Sequence, residues 1–206
     1  MITYAILGIT TLVSFAAFSN GELLRKLLFN AVEIFSYNQW YRLFSYGLVH
    51  ADFTHLLFNM FVLYSFGSAL ENQYFPYLFG SNAGLVTGLL YFSALPASTL
   101  FSYFKHKHDF SYNALGASGA VSAIVFAGIL ISPLSSLYIM FIPFPVPSFI
   151  FGALYLAYSW YMSKKGRDNI GHDSHFWGAV YGIVFMLVLK KELAIHFINQ
   201  VQHFRL

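Results

Sequence analysis

The sequence predicts an all-α, polytopic membrane protein, a six-transmembrane-helix bundle. Three observations predict it. Hydrophobic residues make up 58% of the 206 and charged residues only 9%, against roughly a quarter charged in an average soluble domain. Uncharged runs recur at the length of about 20 residues that a bilayer crossing takes. The alternating pattern of a transmembrane β-barrel is missing. With 11 basic and 8 acidic side chains, the chain cannot cover the surface of a soluble globule of this size. A soluble enzyme, a disordered chain and a nucleic-acid binder are excluded on that ground. Residues 1–206 read as a single membrane domain. Their net charge of +3 fits ordinary contact with anionic lipid headgroups. With no cysteine, disulfides, thiolate metal sites and a cysteine nucleophile are absent.

The uncharged runs are 1–21, 53–70, 72–104, 110–163 and 174–189. The fourth is too long for one crossing. It is interrupted by Pro133 and by Pro143, Pro145 and Pro147, which read as a turn between two helices. The spans are then about 2–19, 51–71, 77–103, 114–133, 147–163 and 172–190. The first lacks the basic flank of a signal peptide and its apolar stretch is longer than such a segment needs. Lys190 and Lys191 anchor the last. The longest connection, 20–50, mixes Glu22, Arg25, Lys26, Glu33 and Arg42 with many aromatics, a composition suited to the membrane interface. The tail 191–206 is a short interfacial helix or a frayed end.

Ionisable and strongly polar groups inside spans are costly and face a bundle interior or a cavity. Three clusters qualify: His50, His55 and Asn59 at the start of span two; Gly116, Ala117, Ser118 and Gly119 at the start of span four; His175, Gly178 and Gly182 at the start of span six. His55 and Asn59 are four apart and share a helix face. His175, Gly178 and Gly182 are spaced i, i+3, i+7, again one face, and glycines there let another helix approach closely. Gly119, Ala123 and Ala127 offer the complementary small-residue stripe on span four. Packing the two stripes brings Ser118 toward His175. All three clusters open even-numbered spans, so all lie at similar depth under one membrane face. Taken singly, the serine is a back-bonded helix residue, the asparagine interhelical glue and the histidines satisfied bundle residues. Together they supply the parts of an acyl-transfer site: nucleophile, base and oxyanion donors.

These residues resemble the rhomboid family of intramembrane serine proteases. His-x4-His-x3-Asn stands as His50, His55 and Asn59; Gly-x-Ser-Gly as Gly116, Ala117, Ser118 and Gly119; His-x2-Gly-x3-Gly as His175, Gly178 and Gly182. The likeness covers about residues 40–190. It implies a Ser–His dyad with Ser118 as nucleophile and His175 as general base. It also implies an oxyanion hole from the side chains of His55 and Asn59 with the Ser118 N–H, and no cofactor or metal. A serine at a helix N-terminus fits that role, because the first N–H groups there are unpaired. Gly116 and Gly119 leave room for substrate backbone, and His50 ties the first loop to the helix top. Several positions depart from the family pattern. Tyr41-Arg42 replaces Trp-Arg, and Ser174 replaces the usual alanine before the histidine. Glu71 fits the family's acidic position at the end of span two, read as structural, but Phe75 stands where a glycine follows it. Ser122 stands where many members carry the aromatic that stacks on the catalytic histidine, so another ring, Trp177 or Tyr181, has to orient His175.

The resemblance implies that the partners are transmembrane protein substrates, cut in or near the bilayer and entering sideways near spans two and five. Membrane lipids are the other partners. The aromatic span five (Phe149, Phe151, Tyr155, Tyr158, Trp160, Tyr161) fits a movable gate and equally an ordinary lipid-facing helix. The alternative is a catalytically inactive rhomboid-like protein that binds transmembrane clients. A metal hydrolase using His50, His55 and His175 finds no HExxH and no nearby carboxylate, and a transporter finds no inverted repeat. The resemblance places the site on the extracytoplasmic side of a bacterial cytoplasmic membrane. The charges argue the other way. Arg25, Lys26, Arg42, Lys105, Lys107, Lys164, Lys165 and Arg167 lie on the site's face, and only Lys190, Lys191 and Arg205 on the opposite one.

Overall fold

The computed structural model describes residues 1–138, 144–165 and 170–204, so Pro143, Arg167 and Arg205 lie outside the described residues. The described chain is mostly helical, and each expected span contains a helix. The first, α1 (Ile2–Phe18), buries Thr3, Ile6, Thr10, Ser14 and Ala17 and exposes Ile9, Leu12 and Phe15. The polar stripe therefore faces inward and the apolar residues face out, the reverse of a soluble helix. Its first N–H groups, which have no partner inside the helix, are taken by the Glu71 carboxylate at 2.7 Å from Ile2 N and 2.9 Å from Thr3 N. Glu71 is structural, as its position suggests.

The connection 20–50 is ordered into short helices, α2 (Gly21–Leu27), α3 (Ala31–Tyr37) and α4 (Arg42–Ser45). Asn20 and Asn30 cap the first two by accepting from Leu23 N and Glu33 N, both at 3.0 Å. Arg42 is buried rather than surface-bound. Its guanidinium donates to the carbonyls of Arg25 and Leu28 at 2.8 and 2.7 Å and pins α2 beneath α4. Phe29 and Ala114 exchange two backbone hydrogen bonds, which fasten this connection to the loop that precedes Ser118. Phe35, Trp40, Tyr41 and Phe44 stay exposed.

Then α5 (Phe53–Val62), capped by Asp52, continues through two π-helical turns, Leu63–Gly67 and Leu70–Tyr74, into α6 (Phe75–Phe79). Gly80 has φ +56°, a conformation an L side chain resists, and reverses the chain into α7 (Ala83–His106). The third expected span consequently has its helix begin about six residues later than the hydropathy pattern suggests. Among the described residues, one stretch, Phe53–His106, is long and apolar enough by length and composition to hold a membrane crossing, while Ile2–Phe18 and Ser118–Ile131 are shorter apolar helices.

The centre of the molecule is α8 (Ser118–Ile131), buried without a break from Gly119 to Leu130. A two-residue antiparallel ladder follows, β1 (Ser136–Leu137) with β2 (Val146–Pro147), then α9 (Ser148–Lys165), α10 (His172–Leu189) and the tail helix α11 (Glu192–Gln202). The small-residue stripes meet as expected. A Cβ on Gly178 would overlap the Gly119 carbonyl oxygen and reach 2.8 Å from its carbon; one on Gly182 would overlap the Ala123 carbonyl oxygen and reach 2.7 Å from its Cα. The two backbones touch at these points, which sets the depth of α10 against α8.

Candidate active site

The loop before α8 is shaped by Gly116, whose φ of +104° delays the helix until Ser118. Its N–H donates to the Tyr46 carbonyl at 3.0 Å. The next amide, Ala117 N–H, donates to His50 Nε2 at 3.3 Å. That leaves the His50 proton on Nδ1, which faces Ser14 Oγ at 2.9 Å, and the Ser14 hydroxyl donates onward to the Leu48 carbonyl at 2.8 Å. Fully buried, His50 joins α1 and the first connection to the backbone beside Ser118.

Ser118 is the first residue of α8 and His175 sits in the first turn of α10. Ser118 Oγ and His175 Nε2 are 2.7 Å apart. This is the separation at which a hydroxyl proton passes to an imidazole. The pair forms because Gly178 and Gly182 seat α10 directly on the backbone of α8. Gly119 serves the same junction from the other side: a Cβ there would run into Ser98 of α7 and come within 3.4 Å of the Ser174 carbonyl.

His55 and Asn59 lie on α5 and face the same space. Asp52 accepts from the His55 backbone N–H at 2.8 Å. Ala51 N–H points at His55 Nδ1 from 3.4 Å, which favours the tautomer with its proton on Nε2. That Nε2 would lie 2.8 Å from a Cβ on Gly116, so the ring stands directly over the loop that leads to the serine. Asn59 is less an interhelical link than its type suggests. It donates one Nδ2–H to the His55 carbonyl one turn back, at 2.9 Å. Ser118, His175, His55 and Asn59 all line one cavity of about 1100 Å³, with Lys105, Tyr112 and Asp173 at its wall. Lys105 and Asp173 form an ion pair at 3.3 Å that links the end of α7 to the start of α10.

Neither expected ring orients His175. Tyr181 donates to Ser93 Oγ at 2.8 Å, and Trp177 packs on Phe101 at 6.0 Å, so both face α7. The ring stacked on His175 is Tyr155 of α9, at 6.3 Å between centroids and 24° between planes. Its hydroxyl reaches Ser122 Oγ at 2.7 Å. The unusual serine at 122 was legible; which aromatic of α9 answers it was not, because helix spacing says nothing of which ring crosses from a neighbouring helix.

Comparison with known proteins shows the family. The model of the Rhomboid domain family matches residues 37–192. The chain belongs to the rhomboid family. A curated relative, the RHOMBOID-like protein 12, mitochondrial, of Arabidopsis thaliana, is 26% identical over 179 residues. The match covers 84% of this chain and 53% of that protein, so the rhomboid chain described here spans about half the relative's length.

Proposed function

We propose that this rhomboid is an intramembrane serine endopeptidase that hydrolyses peptide bonds in or near transmembrane segments of other proteins. One observation carries the reading: the 2.7 Å contact between Ser118 Oγ and His175 Nε2, opening on the cavity that His55 and Asn59 also line. Ser118 Oγ attacks the scissile carbonyl as its proton passes to His175 Nε2. The oxyanion that forms meets the Ser118 N–H at the helix start, the His55 Nε2–H and an Asn59 amide hydrogen. Collapse expels the amine, which takes its proton from His175. Water then attacks the acyl-serine with His175 again as base, and Ser118 is regenerated.

The bundle is read as multi-pass, crossing with α1, α5 and its π-helical continuation, α7, α8, α9 and α10. The surface supports this. Leu12, Phe61, Leu85, Leu154 and Val188 are each more than 60% exposed, whereas Thr10, Ser14, Ser98 and Thr99 are fully buried. Such an inside-out distribution suits lipid. At 1.5 Å per residue, the 14 residues of α8 span about 21 Å, short of the roughly 30 Å hydrocarbon core. A helix that reaches one face therefore starts about 10 Å below the other, which sinks Ser118 within the bilayer while the cavity admits water. The site is read as extracytoplasmic, on the likeness to the bacterial family.

The test uses purified protein in detergent with a reporter transmembrane segment. Wild type is expected to cleave it; Ser118→Ala and His175→Ala are each expected to lose cleavage while keeping helicity and thermal unfolding. Cleavage by Ser118→Ala, or inhibition by a chelator, would sink the dyad. Binding of the segment without cleavage by wild type would establish the inactive client-binding protein instead.

A further inference from the structure

We propose that Tyr155, carried by α9 and tied to Ser122, is the positioning residue that holds His175 against Ser118; this rests on the peptidase reading. The direction of the hydrogen bonds gives the logic. Ser122 has one hydroxyl proton, and it lies 2.8 Å from the Ser118 carbonyl, its back-bonding partner one turn earlier. The Tyr155 hydroxyl must then be the donor to Ser122 Oγ at 2.7 Å. A directed chain thus runs from Tyr155 through Ser122 to the carbonyl of the nucleophile's own residue. Phe126 and Phe151 fix the rest of the ring, with centroids 5.6 and 5.8 Å away. On its other side the ring lies near-parallel to the His175 imidazole, within the range where aromatic pairs attract. One side chain therefore stacks on His175 and reaches the Ser118 carbonyl through Ser122, and it comes from a helix that carries neither member of the pair.

Position 122 is small, and that is what admits the ring. It lies one turn after Ser118, on the same face of α8. A large side chain there would occupy the space that Tyr155 now enters from α9. Assembly of the pair therefore depends on α9 being docked: a substrate segment that displaced α9 would remove the stack at the same moment.

The experiment compares Tyr155→Leu, Tyr155→Phe and the exchange Ser122→Tyr/Tyr155→Ser in the 206-residue chain in detergent. Cleavage kinetics, thermal unfolding and the His175 imidazole signals of histidine-labelled protein are measured. Misplacing a reacting group by about 1 Å costs on the order of 10²-fold. Tyr155→Leu is expected to lower kcat by about 10–10²-fold with little change in KM, and to shift the His175 signals through loss of the ring. Tyr155→Phe keeps the ring but loses the tie to Ser122, and its kcat is expected to fall between those of Tyr155→Leu and wild type; the exchange variant is expected to recover much of what Tyr155→Leu loses. Unchanged kcat in Tyr155→Leu while wild type cleaves would overturn the proposal and leave the peptidase standing. A fall in KM-limited binding with kcat intact would overturn it as well, and so would a Tyr155→Phe variant as impaired as Tyr155→Leu. An inactive wild type would instead bring down the peptidase reading, on which the proposal depends.

Discussion

Ser118 owes its place to a residue two before it. With φ +104°, Gly116 holds a backbone conformation that L side chains rarely adopt, and a Cβ there would lie 2.6 Å from His55 Cε1. Strain and crowding act together, so Gly116→Ala is expected to lower stability by about 1–3 kcal/mol, read from unfolding in detergent, and to lower kcat by displacing His55. The motif residues were legible because each has a type that chemistry demands: a serine at a helix start, a histidine to take its proton, side-chain donors nearby. Their partners were less so. His50 could be placed at the mouth of α5, but its link from Ser14 to Ala117 joins residues 103 positions apart in sequence, which no local pattern encodes. Tyr155 was one of six aromatics noted on span five, and only the fold distinguishes it.

The decisive element contact is α8 against α10. Gly178 and Gly182 lie one turn apart on α10, and each faces a carbonyl of α8 too closely for any side chain. This was readable in advance, since the spacing i, i+3, i+7 puts them on the face of His175. Gly178→Val is expected to lower stability by about 3 kcal/mol or more, because the atom it meets is backbone and cannot turn aside. Loss of cleavage should accompany it; an unchanged unfolding temperature would show that the helices are not in contact there. Two irregularities escaped the sequence. The π-helical turns at 63–67 and 70–74 have no local signature, and Gly80 marks the reversal into α7 only once its positive φ is seen. Hydropathy alone starts the next span at 77, ahead of Gly80.

At the scale of the molecule, the basic residues that argued about sidedness turn out to be unequal witnesses. Arg42 is buried under carbonyl oxygens and Lys105 is paired with Asp173, so both have structural uses that a count of loop charges ignores. The six crossings proposed above would bring the chain back to the side where it began. Reporters fused before Met1 and after Leu206 are therefore expected to mark the same side of the membrane; opposite sides would contradict the even number of crossings. Low charge made the chain's class plain and its few interior polar groups conspicuous. Crossing number was harder to read from helix length, since α8 is too short to span the core alone and is hydrophobic enough to be buried either way.

The central claim is that His175 activates Ser118 as a nucleophile. Covalent labelling by a fluorophosphonate, mapped by mass spectrometry of the purified protein, tests it most directly. The expected result is modification of Ser118, with no labelling of other serines, that disappears in His175→Ala while the fold persists. An unlabelled wild type, or labelling of Ser118 undiminished in His175→Ala, would contradict it.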